Sequence, residues 1–307
     1  RFYKIMIRTT QVGIDIGTYM VRVVVAEYGK GESLPHILGT GFAYSYGLRR
    51  GYVVNADEAK KSLKKAILEA EKSSGVKIKR ATVALCGASL SSTISVGACI
   101  ISRADQEITN LDIKKAIEEA QKNISITNRK ILHTLPLQFR LDGKEVLGNA
   151  VGMNGIKLEV RTMFVTGLTQ HIDDILSLVS DVGVDVIGAV ATPFSSEAML
   201  LSDRQKNAGV AIVDIGAETT TLSVYENGIM MGIQVFPIGS SDITNDIALG
   251  LQVALDEAEE IKIGSFIGNH SRKKVDDIVD GRLKDIFEII DVYLRKIKRS
   301  GLLPAGV

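Results

Sequence analysis

The residues best suited to chemistry in this chain sit in two short turns. Val12 to Gly17 reads V-G-I-D-I-G, and the pattern returns as Val213-Asp214-Ile215-Gly216. At the single offset that aligns Asp15 with Asp214, Gly17 meets Gly216, Glu27 meets Glu226 and Gly29 meets Gly228. The match therefore runs through a strand, a turn, a second strand and a closing turn. Each copy is a run of β-branched residues ending in an acid, then a glycine turn, then hydroxyl residues: Thr18 in the first, Thr219 and Thr220 in the second. Such a turn aims backbone N–H groups, with the hydroxyls, at one anionic oxygen, which is the chemistry of phosphate binding. Two of them face to face would grip one polyphosphate from both sides, and Asp15 and Asp214 at their roots would hold a hydrated Mg²⁺ between them. A lone D-x-G turn is usually an ordinary hairpin. The pair at equal internal spacing carries the reading.

Two further groups lie downstream. Gly239-Ser240-Ser241-Asp242 starts a helix, either as a third place where N–H groups meet phosphate or as a plain capped helix. Glu259 and Lys262 lie three apart on one helical face, as a ribose contact or an ion pair, and by themselves they read as the ion pair. His36, His133, His171 and His270 lack metal spacing and are assigned no chemistry. No Ser-His-Asp or Cys-His grouping emerges, and no acid or base stands out for general catalysis.

The elements that must position these groups follow from periodicity. After the first hairpin, Gly29 and Gly31 turn the chain into a strand over Ile37 to Ala43, and a helix over Asp57 to Ser74 is capped by Asn55 or Asp57 and ended by Gly75. From about residue 80 to 162 the texture changes to short strands around a helix from Asp112 to Ile124, a compact α+β insert in which Val151 to Gly155 is a connector. A helix from Thr169 to Gly183 and a strand over Val184 to Val190 resume the first unit. After a helix opened by Pro193 comes the second hairpin, with Asn227-Gly228 as a two-residue turn. Helices carrying Ile243, Ile247 and Leu251, and then Val253 to Ile263, follow. Residues 264 to 281, apart from Phe266 and Ile267, read as irregular, and Arg282 to Ser300 as a helix whose basic end, Arg295, Lys296, Lys298 and Arg299, is solvated.

The chain has 307 residues, which implies two domains. Lys and Arg number 37 against 36 Asp and Glu, a balance that gives no case for a nucleic-acid partner. Cys86 and Cys99 lie among apolar strand residues and read as reduced core thiols of a cytosolic protein. No apolar run approaches the ~20 residues needed to span a bilayer, and Arg1 to Gln11 lacks a signal-peptide core, so a cytoplasmic location is expected. A start without methionine and a stop at Val307 in an apolar stretch read as a fragment at both ends.

Two phosphate hairpins, a helix start and an E-x-x-K helix, in that order, resemble the actin-like ATPase superfamily. Within it the chain resembles the FtsA family of bacterial cell-division proteins over nearly its whole length. The resemblance rests on Arg50-Gly51-Tyr52-Val53-Val54-Asn55, on His133-Thr134-Leu135-Pro136-Leu137-Gln138-Phe139, on Gly152-Met153-Asn154-Gly155-Ile156-Lys157-Leu158-Glu159, and on Leu302-Leu303-Pro304-Ala305-Gly306-Val307. It implies an α/β, actin-like (ribonuclease H-like) two-lobed ATPase fold with an inserted small α+β subdomain. Residues 9–79 and 163–202 would form subdomain 1A, 80–162 the insert 1C, and 203–307 a truncated second lobe, 2A/2B.

Carried over by position, the first phosphate loop is Asp15, Gly17 and Thr18, and Arg22 stands where actin has a lysine four residues after the hydroxyl residue. The second loop resembles D-I-G-G-G-T-T-D but reads Asp214, Ile215, Gly216, Ala217, Glu218, Thr219, Thr220, Thr221, with Ala217 and Glu218 replacing glycines and Thr221 an acid. Gly239, Ser240, Asp242, Thr244 and Asp246 match the connecting motif, with Ser240 where a glycine is usual, and Glu259 with Lys262 the ribose pair. The resemblance implies ATP and Mg²⁺ as ligands, weak hydrolysis, FtsZ as partner, self-association into filaments, and a place at the inner face of the cell membrane at the division site. The membrane would be reached through a C-terminal amphipathic helix absent from this chain. The adenine-holding turn would also lie beyond Val307, so weak ATP binding with poor discrimination against GTP is expected. A PilM-like pilus-assembly protein, which shares the D-I-G-A-x-T-T form of the second loop, is the alternative. A small-molecule kinase, which would need a base in its cleft, ranks lower.

Overall fold

In the computed structural model, which describes residues 9–29, 34–265 and 271–307, the first hairpin pairs β1 (Thr9–Ile16) antiparallel with β2 (Met20–Tyr28). Its period of two is clean: Val12, Ile14, Ile16, Val21, Val23 and Val25 are all buried. β3 (His36–Tyr44) adds to β2, and β4 (Leu48–Arg49) and β5 (Tyr52–Val53) form a small separate hairpin. α1 (Ala56–Ser74) is capped by Asn55, whose side chain accepts from the Glu58 N–H, and ends on left-handed Gly75. It lays Leu63, Ala66, Ile67 and Ala70 on the sheet. Gly31, Phe266, Ile267, His270 and the start of the Arg1 to Gln11 segment lie outside the described residues.

β6 (Arg80–Leu85) pairs parallel with β1, placing Ala84 beside Asp15. The sequence pattern assigns this strand to the insert; its alternating Ala81, Val83 and Leu85 instead join the first core. The insert proper follows as β7 (Ser91–Ile100), α2 (Asn110–Lys122), β8 (Arg129–Leu141), β9 (Lys144–Val146) and β10 (Lys157–Leu168). The expected connector hydrogen-bonds back to the loop before α2, with the Ile108 N–H donating to Met153 O at 2.8 Å. α3 (Thr169–Asp181) and β11 (Asp185–Ala191) complete a five-stranded sheet of order β11-β6-β1-β2-β3.

α4 (Thr192–Leu200) and α5 (Asp203–Ala208) lead into the second hairpin unit, β12 (Val210–Ile215), β13 (Thr220–Glu226) and β14 (Ile229–Phe236). Asn227 and Gly228 both take positive φ, 53° and 76°, as a two-residue hairpin turn of their kind requires. The second sheet is not confined to this unit. It runs β12-β13-β14-β7-β10-β8-β9, crossing into the insert where Gln234 meets Ser91.

α6 (Ser240–Leu251), α7 (Leu255–Lys262) and α8 (Arg272–Lys296) follow. α8 begins ten residues before the Arg282 start read from sequence. Its first turns are polar and carry Gly281, but Val275, Ile278 and Val279 pack on Ile243 and Ile247 of α6, and this tertiary contact outweighs the thin apolar stripe. Farther along, Ile286, Ile290 and Leu294 cover Ala211, Leu222 and Val224. The basic end is partly paired: Arg295 with Asp291 at 2.6 Å and Arg299 with Glu226 at 2.7 Å. Among the described residues no helix is long and apolar enough to cross a membrane.

Candidate functional site

The two hairpin turns close in the same way. The Gly17 N–H donates to Met20 O at 3.2 Å, and in the matching position the Gly216 N–H donates to Thr219 O at 2.9 Å. Asp15 stands opposite Arg22 across the first ladder, and Asp214 opposite Thr221 across the second. Both turns open onto one cavity of about 520 Å³, lined by Asp15, Gly17, Thr18 and Arg22 from the first and by Asp214, Gly216 and Thr219 from the second. α6 and α7 wall the rest with Ser240, Thr244, Glu259 and Lys262.

The cavity is acidic at its floor. Burial pushes the Asp15 carboxyl above its ordinary range, with Arg22 at 3.3 Å opposing the shift and the charge of Asp214 adding to it. Beside them, enclosure pushes the Cys86 thiol up to about 12, so this cysteine is protonated and inert. It is free and half-buried, as is Cys99. Two carboxylates lining one cavity, with Arg22 paired to Asp15, form a site that a divalent cation would relieve.

The pair on α7 is joined to α6. Lys262 Nζ lies 2.7 Å from Glu259 Oε2 and donates to Thr244 Oγ1 at 2.9 Å, while the Thr244 hydroxyl donates to Glu259 at 2.6 Å. Burial alone would raise the Glu259 carboxyl, but the hydrogen bonds from Lys262 and Thr244 hold it below its ordinary value. Arg282 fixes α6 from behind, with a bidentate grip on Asp246 at 2.6 and 2.9 Å.

Two expectations change in detail. Thr220 is fully buried and donates its hydroxyl to Ile238 O at 2.8 Å, so it faces the core; Thr221, one residue on, lines the cavity instead. The helix start at Gly239 is occupied by protein: the Ser240 N–H donates to Gly216 O and the Ser241 N–H to Ala217 O, both at 2.8 Å. Asp242 caps Gly239 N at 2.8 Å. A Cβ on Gly239 would come within 2.5 Å of Ala217 O, so glycine is required for this close seat on the second loop. Thr192, Tyr19 and Asn245 also line the cavity. Thr192 opens α4, which carries no motif, while Tyr19 and Asn245 stand inside the first turn and the connecting motif at positions those motifs leave unspecified.

Against known proteins, the family model described as "Cell division protein FtsA" matches residues 211–289, and that of the "SHS2 domain inserted in FTSA" matches residues 87–166. The second range begins just after β6, in agreement with the pairing of that strand in the first sheet. The cell division protein FtsA of Bacillus subtilis is 30% identical, covering 96% of this chain and 71% of that protein. The FtsA of Borreliella burgdorferi is 31% identical, covering 95% and 76%. Among solved structures, a PilM-PilN type IV pilus biogenesis complex is similar in fold at a TM-score of 0.70 with 16% identity, covering 94% of this chain and 78% of that one. The ethanolamine utilization protein EutJ of Carboxydothermus hydrogenoformans gives 0.55 with 15% identity, covering 94% and 72%. The duplicated hairpins, the insert after β6 and these relatives agree: the chain belongs to the FtsA family of cell-division proteins, with an actin-like two-lobed fold.

Proposed function

We propose that this protein binds Mg-ATP between the two hairpin turns, and that the nucleotide acts as a structural ligand favouring lobe closure and self-association into filaments. The observation that carries the reading is the pair of identically closed turns, Gly17 to Met20 and Gly216 to Thr219, opening onto one cavity with a carboxylate at each root. The donor set fits the metal: Mg²⁺ takes one or two carboxylates and completes its shell with water and phosphate oxygens. Asp15 and Asp214 would hold it through water, where it would neutralise charge between the carboxylates and the phosphates. The hydroxyls of Thr18 and Thr219 would hold phosphate, with Gly17 and Gly216, whose N–H groups close the turns, leaving the backbone bare of side chain beside it, and with Arg22 turning from Asp15 toward it. Glu259 and Lys262 would meet the ribose. The nucleotide on this reading is a ligand first, with slow hydrolysis and no phosphoryl transfer to a small acceptor.

On this reading the whole protein links FtsZ to the cytoplasmic membrane at the division site, peripheral to its inner face, through a C-terminal amphipathic helix. Calorimetric titration with Mg-ATP tests the ligand. Saturable, Mg²⁺-dependent heat is expected from the wild type, with loss in Asp214→Ala, and equal heats with and without Mg²⁺ would refute it. Co-sedimentation of the full-length protein with FtsZ polymers and anionic liposomes tests the role. Failure to join either would remove the adaptor reading.

A further inference from the structure

The Arg50-Gly51 turn between β4 and β5 is the point where both hairpin turns and the root of the insert meet. Arg50 and Gly51 take φ of 51° and 84°, the left-handed pair of a two-residue hairpin turn. Their adjacent N–H groups point to different lobes. The Gly51 N–H donates to Thr18 Oγ1 of the first turn at 3.2 Å, and the Arg50 N–H donates to the Glu218 carboxylate of the second. Glu218 is one of the two residues of the second loop that stand where the resemblance leads one to expect a glycine. It occupies the position of Tyr19 in the first copy, and it reaches across the cleft instead of into it.

The turn's two carbonyls bind the other way. Arg50 O accepts from the Ala88 N–H at 3.2 Å, and Gly51 O accepts from Nε2 of the buried His171 at 2.9 Å. Since Nε2 donates, Nδ1 of His171 accepts from the Ser89 hydroxyl, at 2.5 Å. Backbone contact is close here: a Cβ on Gly51 would lie 2.5 Å from the Gly87 Cα. Residues 87 to 92 are the root of the insert, and Ser92 reaches β14 as well, accepting from the Ile233 N–H at 2.8 Å.

We propose that Glu218 is a positioning residue: it latches the second hairpin turn onto the Arg50-Gly51 turn and so ties the state of the cleft to the seating of the insert. The two N–H groups are neighbours on one two-residue turn, so any change in the separation of Thr18 and Glu218 must be taken up by the turn or break a hydrogen bond. A ligand gripped by both hairpin turns makes such a change. Ala88 and Ser89 are bonded to the same turn and would receive it. The latch itself stands on these contacts alone; its response to ligand rests on the proposed nucleotide function.

Amide hydrogen exchange on the nucleotide-free protein tests the latch. Glu218→Ala should speed exchange at the Arg50 N–H roughly tenfold or more, since a hydrogen bond to a charged acceptor is lost. Glu218→Gln keeps an accepting oxygen and should restore protection, while β1 and β2 amides serve as the control for folding. Unchanged exchange at Arg50 in Glu218→Ala would overturn the latch. Adding Mg-ATP should then alter exchange at Ala88 to Leu90 in the wild type and in Glu218→Gln but not in Glu218→Ala. The same response in Glu218→Ala overturns the coupling. If the wild type binds no Mg-ATP, the coupling falls with the proposed function, while Arg50 protection still decides the latch.

Discussion

The first and second hairpins share a backbone and differ in what their side chains face. Both close with the same turn hydrogen bond, and both end their first strand in an aspartate. The partner across the ladder is Arg22 for Asp15 but Thr221 for Asp214. At the turn tips, Thr18 and Tyr19 answer Ala217 and Glu218. The first copy therefore brings its own cation and a hydroxyl to the cavity, while the second brings a carboxylate that faces no cation across its ladder and sends an acid outward as a contact to the other lobe. Duplication kept the geometry and divided the electrostatic work.

That division predicts unequal losses. Removing Asp214 takes away the carboxylate that has no cation across its ladder, whereas removing Asp15 also frees Arg22 for phosphate. Mg-ATP affinity should fall by about tenfold or more in Asp214→Ala, on the scale of a charged hydrogen-bonding group. In Asp15→Ala the fall should be smaller. Equal losses would erase the distinction.

A second test separates stability from binding. Because the folded-state value of Asp15 lies above its ordinary 3.8, its ionised form is a cost to the fold, and stability drops as pH rises through that interval. Asp15→Asn should raise the melting temperature of the ligand-free protein at neutral pH while weakening its response to Mg²⁺. A lowered melting temperature in Asp15→Asn would mean that the Arg22 pair outweighs the burial.

The turn joining the hairpins carries its own pH signature. Burial holds His171 below its ordinary 6.5, with the bond to Gly51 and the charge of Asp174 opposing, so its contribution is complete above that value and is lost as pH falls toward the folded-state one. His133, also lowered by burial, adds in the same direction. Denaturant midpoints should fall between pH 7 and 5, with a slope of at most about 1.4 kcal/mol per pH unit for each histidine. His171→Gln should flatten its share. The smallest effect expected is at Thr220→Val, which breaks the bond to Ile238 O and should cost about 1 kcal/mol of stability without touching ligand affinity. Thr219→Val should do the reverse.

Much of the fold is readable in the sequence because the hairpins are local. β-Branched alternation, a glycine turn and the Asn227-Gly228 signal all act within a few residues, and the duplication provides an internal check. What cannot be read depends on packing across long separations. β6 is indistinguishable by pattern from a strand of the insert until it pairs with β1. The first turns of α8 form on α6, not on their own stripe. Thr220 and Thr221 differ only in which face of β13 the register assigns them. The role of Glu218, visible in sequence only as a departure from glycine, needs the Arg50 N–H to give it meaning.

The most direct test of the central claim, that two hairpin turns clamp one Mg-nucleotide, is a double-mutant cycle on Mg-ATP binding with Asp15→Asn, Asp214→Asn and the pair. If both carboxylates serve one ion, the first removal already loses most of what the second can lose. The double variant should then bind no more than a few-fold more weakly than Asp214→Asn alone, with a coupling of about 1 kcal/mol or more. Strictly additive losses, or affinity unchanged in either single variant, would contradict the shared clamp.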